Sequence, residues 1–232
     1  VSGIVFNANA SAFTISLHTS SFDRFLTISG TGITNNSGMT QNFLTAPDLS
    51  DAVIQFTNSA TAGDQTVFAN QGGSTTFQDT SSAGGATLIG NISFLGDSTG
   101  GTARVEILKN GSLDISAHHA PGVTVGSIEG HGAVTLGGNN LTVRSNDHDT
   151  TISGVIEDGG AGGPLTKMGR KRLILAQASS YRGGTTIRGG SLFVRNRKGS
   201  GTGNGPVQVD DGTLGGGGII AGPVTVGTAS GG

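Results

Sequence analysis

Apolar side chains along this chain come in short alternating runs, and glycine-rich turns separate them. Phe13-Thr14-Ile15-Ser16-Leu17 sets Phe13, Ile15 and Leu17 on one face of an extended strand. Similar runs lie at 4–6, 25–28, 112–115, 141–143, 173–175, 185–187, 191–194, 207–209 and 224–226. The breaks use Asn7-Ala8-Asn9, Asn35-Asn36-Ser37-Gly38 and Gly137-Gly138-Asn139-Asn140, residue types that tolerate the positive φ of tight bends. Few stretches favour long helices, and β-branched residues abound. The pattern therefore predicts an all-β chain.

The runs repeat. Phe56, Phe77 and Phe94 are each followed seven residues later by Gly63, Gly84 and Gly101, and four residues after that by Val67, Leu88 and Val105. A Gly-(Ser/Thr)-Leu step recurs at Gly190-Ser191-Leu192 and Gly212-Thr213-Leu214, and Leu192 and Leu214 lie 22 residues apart. A strand-and-turn unit repeating at about 20 residues marks a solenoid, because one unit cannot bury its apolar face without its neighbours. The reading is a single parallel β-helix over residues 1–232, of about ten coils. Phe56, Phe77, Phe94, Val67, Leu88, Val105, Leu192 and Leu214 are its expected inward ladders. Asn110-Gly111 is also a hairpin signal, so an antiparallel barrel or sandwich remains the alternative.

Composition narrows the chemistry. Glycine is 43 of 232 residues, but without a G-X-Y period, which excludes collagen. Cysteine is absent, which removes disulfides, thiolate zinc sites and cysteine nucleophiles. No apolar run approaches the ~20 residues of a membrane helix, and the N-terminal residues carry no basic signal-peptide region. The net charge of −2 conceals an asymmetry: residues 1–160 hold 13 acids and 4 bases, residues 161–232 hold 2 acids and 9 bases. In a solenoid, sequence order becomes order along an axis, so one part of the rod is acidic and the other basic.

The stretch Leu165-Thr166-Lys167-x-Gly169…Leu173-x-Leu175…Tyr181-x-Gly183-Gly184-Thr185-Thr186-Ile187…Gly190-x-Leu192 resembles the autotransporter-associated β-strand repeat, or passenger-associated transport repeat. Asp211-Gly212-Thr213-Leu214-Gly215-Gly216 and Gly222-Pro223-Val224-Thr225-Val226 look like its continuation, and the resemblance covers 164–226. It implies a right-handed parallel β-helix, secreted or held on a bacterial cell surface. Lys171 and Gln177 stand where the repeat usually has Gly, and Ser179 where it often has Asn. The basic residues depart from the repeat's usual small, neutral turns.

Nine basic residues form the candidate surface for assembly or for an anionic partner: Lys167, Arg170, Lys171, Arg172, Arg182, Arg188, Arg195, Arg197 and Lys198. Nucleic acid is not expected, because Tyr181 is the only tyrosine and tryptophan is absent. His18, His118, His119, His131 and His148 lack metal-ligand spacing, and no phosphate-binding or calcium-repeat motif occurs, so no cofactor or metal is expected. The acid pairs Asp147/Asp149, Glu157/Asp158 and Asp210/Asp211 are the candidates for glycosidase-type chemistry, although such pairs also read as polar turns. The expected function is a non-enzymatic extracellular structural β-helix. It either assembles head-to-tail into a fibre, with copies of itself as partners, or serves as a surface passenger or adhesin stalk. A carbohydrate-active enzyme and a binding module for anionic glycans are the alternatives.

Overall fold

The computed structural model describes residues 1–18, 25–48, 50–144 and 148–227. Among them are twenty-one strands and no helix. Every strand pairing among the described residues is parallel. That removes the antiparallel alternative. Asn110-Gly111 joins Arg104–Ile107 to Ser112–Asp114, and these two strands pair with other strands rather than with each other.

The chain visits three stacks of strands in rotation. The first contains Thr14–Leu17, Gln41–Thr45, residues 66–70 and 87–89, Arg104–Ile107, Ser127–Gly130, Thr150–Ile152, Arg172–Leu175, and residues 191–194 and 213–216. The second contains Phe25–Ile28, Val53–Phe56, residues 74–77 and 91–94, Ser112–Asp114, Ala133–Thr135 and Ile156–Glu157. The third begins with Gly3–Phe6 on Gly32–Asn35 and continues through single bridges at Thr61, Ser82 and Thr99. It resumes at Gly122–Val125, Asn140–Val143, Leu165–Lys167, residues 185–187 and 207–209, and Val224–Val226. This rotation of parallel strands is consistent with a β-helix.

Period-two alternation fills the space between the stacks. In Gly85–Phe94 every second residue is buried. Phe56, Phe77 and Phe94 are in register, with ring centroids 4.9 Å apart at each step and planes within 10° and 12°. Phe43 and Phe68 make a second stack at 4.8 Å. Leu173 and Leu192 stack under Leu214, which is half-buried.

One expected ladder position moves. Val67 is half-exposed, and Phe68 takes its place in register with Leu88 and Val105. The cause is a bulge: two residues, Gln65 and Thr66, oppose the single Ala86 between paired positions. Gln65 sits at φ 53°, and the extra residue reverses the in-out alternation that follows.

Candidate functional site

The basic residues do not form one patch. Arg170 and Lys171 occupy the turn from the third stack to the first, with Arg172 opening the next strand. Arg188 lies at the same corner one coil on. Arg195, Arg197 and Lys198 follow residues 191–194 at the next corner, and Arg182 lies between the second stack and the third. All of these are exposed except Arg172, which is half-buried.

Lys167 is a correction to the expected surface, being 0 % exposed. In Leu165–Lys167 it continues the inward side set by Leu165, between the buried Val143 and Ile187 of the adjacent strands. Its Nζ donates to the carbonyl oxygens of Met168, of Gly169 at 3.5 Å and of Gly189 at 3.4 Å. Burial pushes its pKa down to about 8, against the opposing pull of the Asp149 charge. An unfolded lysine titrates near ~10.4, so between about pH 8 and 10 the unfolded chain holds a proton that the folded chain has released. Stability therefore rises with pH across that window. The urea midpoint should climb from pH 8 to 9.5, and Lys167→Met should remove the climb. An equal climb in both proteins assigns it to other groups. Tyr181, whose phenol is pushed up by burial, opposes the trend only above about pH 10.

Arg172 has a fixed position. Its guanidinium contacts Asp149 at 2.7 Å, and its backbone N–H donates to the same carboxylate at 2.9 Å. The backbone bond leads the effects that hold the Asp149 carboxyl below its usual range. The Arg172 guanidinium carbon also lies 5.5 Å from the centroid of the Phe193 ring, and that of Arg195 lies 5.9 Å from it. Phe193 points outward, and its ring lies over Gly215, where an added Cβ would come within 3.3 Å of it. Arg188 pairs with Asp210 at 3.2 Å.

The 195–198 turn is held from inside. Asn196 is 3 % exposed and points inward between two outward arginines. Its amide donates to the carbonyls of Lys198 at 3.0 Å and Gly199 at 2.9 Å, and its oxygen accepts from the Ile219 N–H at 2.9 Å. Open grooves of about 320 Å³ and 540 Å³ flank the turn. Arg195 and Arg197 line both.

The expected acid pairs do not converge among the described residues. Asp147 lies outside them. Glu157 is exposed, whereas Asp158 is buried. Burial would raise the Asp158 carboxyl, yet the backbone N–H groups of Arg182, Gly160 and Gly162 hold it below its usual value. Asp210 is taken by Arg188. A different pair does stack: Glu106 and Glu129 are register partners, and Arg104 contacts them at 3.2 Å and 2.5 Å. Only the strand register brings these two together. Among the described residues, no group of three or more metal-ligating side chains forms.

The chain matches no protein-family model, and no solved structure matches it. It is similar to an autotransporter adhesin. The relative is the adhesin BmaC autotransporter of Brucella suis biovar 1 (strain 1330), 34 % identical over 117 residues. The match covers 50 % of this chain and 3 % of the adhesin. The parallel stacks and this likeness are both consistent with an autotransporter-like β-helix.

Proposed function

We propose that this chain is a segment of a bacterial surface passenger, a non-enzymatic stalk in an autotransporter-type adhesin. It is a single right-handed parallel β-helix of about ten coils, on the order of 50 Å long at ~4.8 Å per coil. The observation that carries the reading is the all-parallel stacking of strands in three series, which fits a rod built to space or present surface. The likeness to an adhesin supports a location outside the cell. The non-enzymatic reading rests on the stacked carboxylates Glu106 and Glu129, which Arg104 already binds.

Head-to-tail association of copies is the second reading. The charge asymmetry favours it, since residues 1–160 hold 13 acids and 4 bases and residues 161–232 hold 2 acids and 9 bases. Unlike charges on the two parts of a rod favour head-to-tail over head-to-head contact.

The test is display. Fused between an export signal and an autotransporter barrel, the chain should reach the cell surface and be released there by an engineered protease site. Retention inside the envelope, with a known passenger displayed in parallel, overturns the reading. Sedimentation of the purified chain at low salt separates stalk from fibre, because the stalk stays monomeric.

A further inference from the structure

We propose that residues 170–172 and 195–198, with Phe193 between them, form a binding track for a linear acidic polysaccharide bearing sulfate or carboxylate groups. The track crosses the first stack from one corner to the next. Arg170 and Lys171 stand at one end, and Arg197 and Lys198 at the other. Arg172 and Arg195 flank Phe193 in the middle, at 5.5 Å and 5.9 Å from its ring centroid. Strand residues advance ~3.3 Å each, so a four-residue strand separates the two ends by roughly 13 Å.

Three observations point to a ligand rather than a solvated face. First, Arg170, Arg195, Arg197 and Lys198 have no acidic partner among the described residues, whereas Arg104, Arg172 and Arg188 are paired. Second, the turn that carries Arg195, Arg197 and Lys198 is fixed. Asn196 uses its whole amide to hold its backbone. A guanidinium rooted on a fixed turn loses less freedom when it grips an oxyanion in bidentate fashion. Third, the flanking grooves are open, unlike the enclosed pockets that hold small molecules. Each anion gains little alone in such a site, so the fitting ligand repeats its charge along a chain.

Two other polyanions fit less well. Single-stranded nucleic acid gains its sequence-independent affinity from bases stacked on free aromatic rings. Here Tyr181 is buried, and Phe193 is flanked by two arginines and lies over Gly215. The acidic part of a second copy offers few free carboxylates. Asp79, Asp97, Asp114, Glu129 and Asp158 accept hydrogen bonds within their own chain, and Glu106 is ion-paired to Arg104.

The site's biological setting rests on the surface reading above, but its chemistry can be measured on the purified chain whether or not display succeeds. The probe is heparin, with neutral dextran and oligo-dT as comparators, titrated by calorimetry at two salt concentrations. Heparin should bind and dextran should not. The variant Arg195→Gln/Arg197→Gln should lose about tenfold or more in affinity and show a shallower salt dependence. The charge-matched control Lys109→Gln/Arg182→Gln, away from the track, should lose less than about threefold. Arg197→Lys alone should weaken binding, because an ammonium cannot grip an oxyanion in bidentate fashion. These side chains are exposed, so the melting temperature of each variant should stay near that of the parent. Equal losses in both double variants overturn the proposal in favour of diffuse charge. Oligo-dT binding as tightly as heparin overturns it in favour of nucleic acid, and no heparin binding by the parent overturns it outright.

Discussion

Phe77→Ala should lower the unfolding free energy by about 3–5 kcal/mol, the cost of emptying a fully buried aromatic site. Phe77 is 0 % exposed and lies in the middle of a three-ring stack, so its loss removes two ring contacts at once. The strands on either side are held at the hydrogen-bonding distance and cannot close the gap. Phe77→Leu keeps most of the volume and should cost less than about 2 kcal/mol. Urea unfolding followed by circular dichroism measures both. A loss below about 1 kcal/mol for the alanine variant would mean that the rings are not the structural spine they are taken to be.

Gly169→Val should cost at least about 3 kcal/mol, from two independent effects. Gly169 sits at φ +74°, where a side chain is strained by itself. A Cβ there would also fall 1.6 Å from the carbonyl oxygen of Arg144 in the adjacent coil. That oxygen belongs to backbone and has no easy way to move. Gly162 is the control, with φ +88° and nothing within 4 Å of an added Cβ. Gly162→Val should therefore show the strain alone, about 1–2 kcal/mol. Thermal melts of the two variants separate the effects. Equal losses would show that close approach of neighbouring turns contributes nothing.

The sequence made the stacks legible because a solenoid imposes its period on residues that must touch. Phe56, Phe77 and Phe94 are spaced 21 and 17 residues apart, yet they meet, since turn length varies while the inward register does not. Val67 was misplaced because a single extra residue inverts alternation without changing composition. Lys167 was misplaced for a different reason. Alternation with Leu165 already pointed it inward, but a lysine reads as surface unless carbonyls are known to receive it. The division of the basic residues among three corners was beyond reach. It depends on how many residues each turn spends, and that count differs from coil to coil. The Glu106–Glu129 pair was hidden likewise, by 23 residues of separation with no motif to mark it.

The three stacks have a further consequence for how the molecule is built and taken apart. Each strand pairs with a strand one coil away in sequence, from 17 residues on (Thr87 and Arg104) to 29 (Gly3 and Gly32), a range over which the loop-closure cost changes by only about 0.5 kcal/mol. A rod of four coils ends in the same three strand edges as a rod of nine. Adding a coil covers one set of edges and creates another, so the cost of unsatisfied ends is fixed while the favourable stacking grows with length. Partly built rods are therefore self-similar. Unfolding under denaturant should spread over intermediates shortened from their ends, with the phenylalanine-stacked coils the last to open.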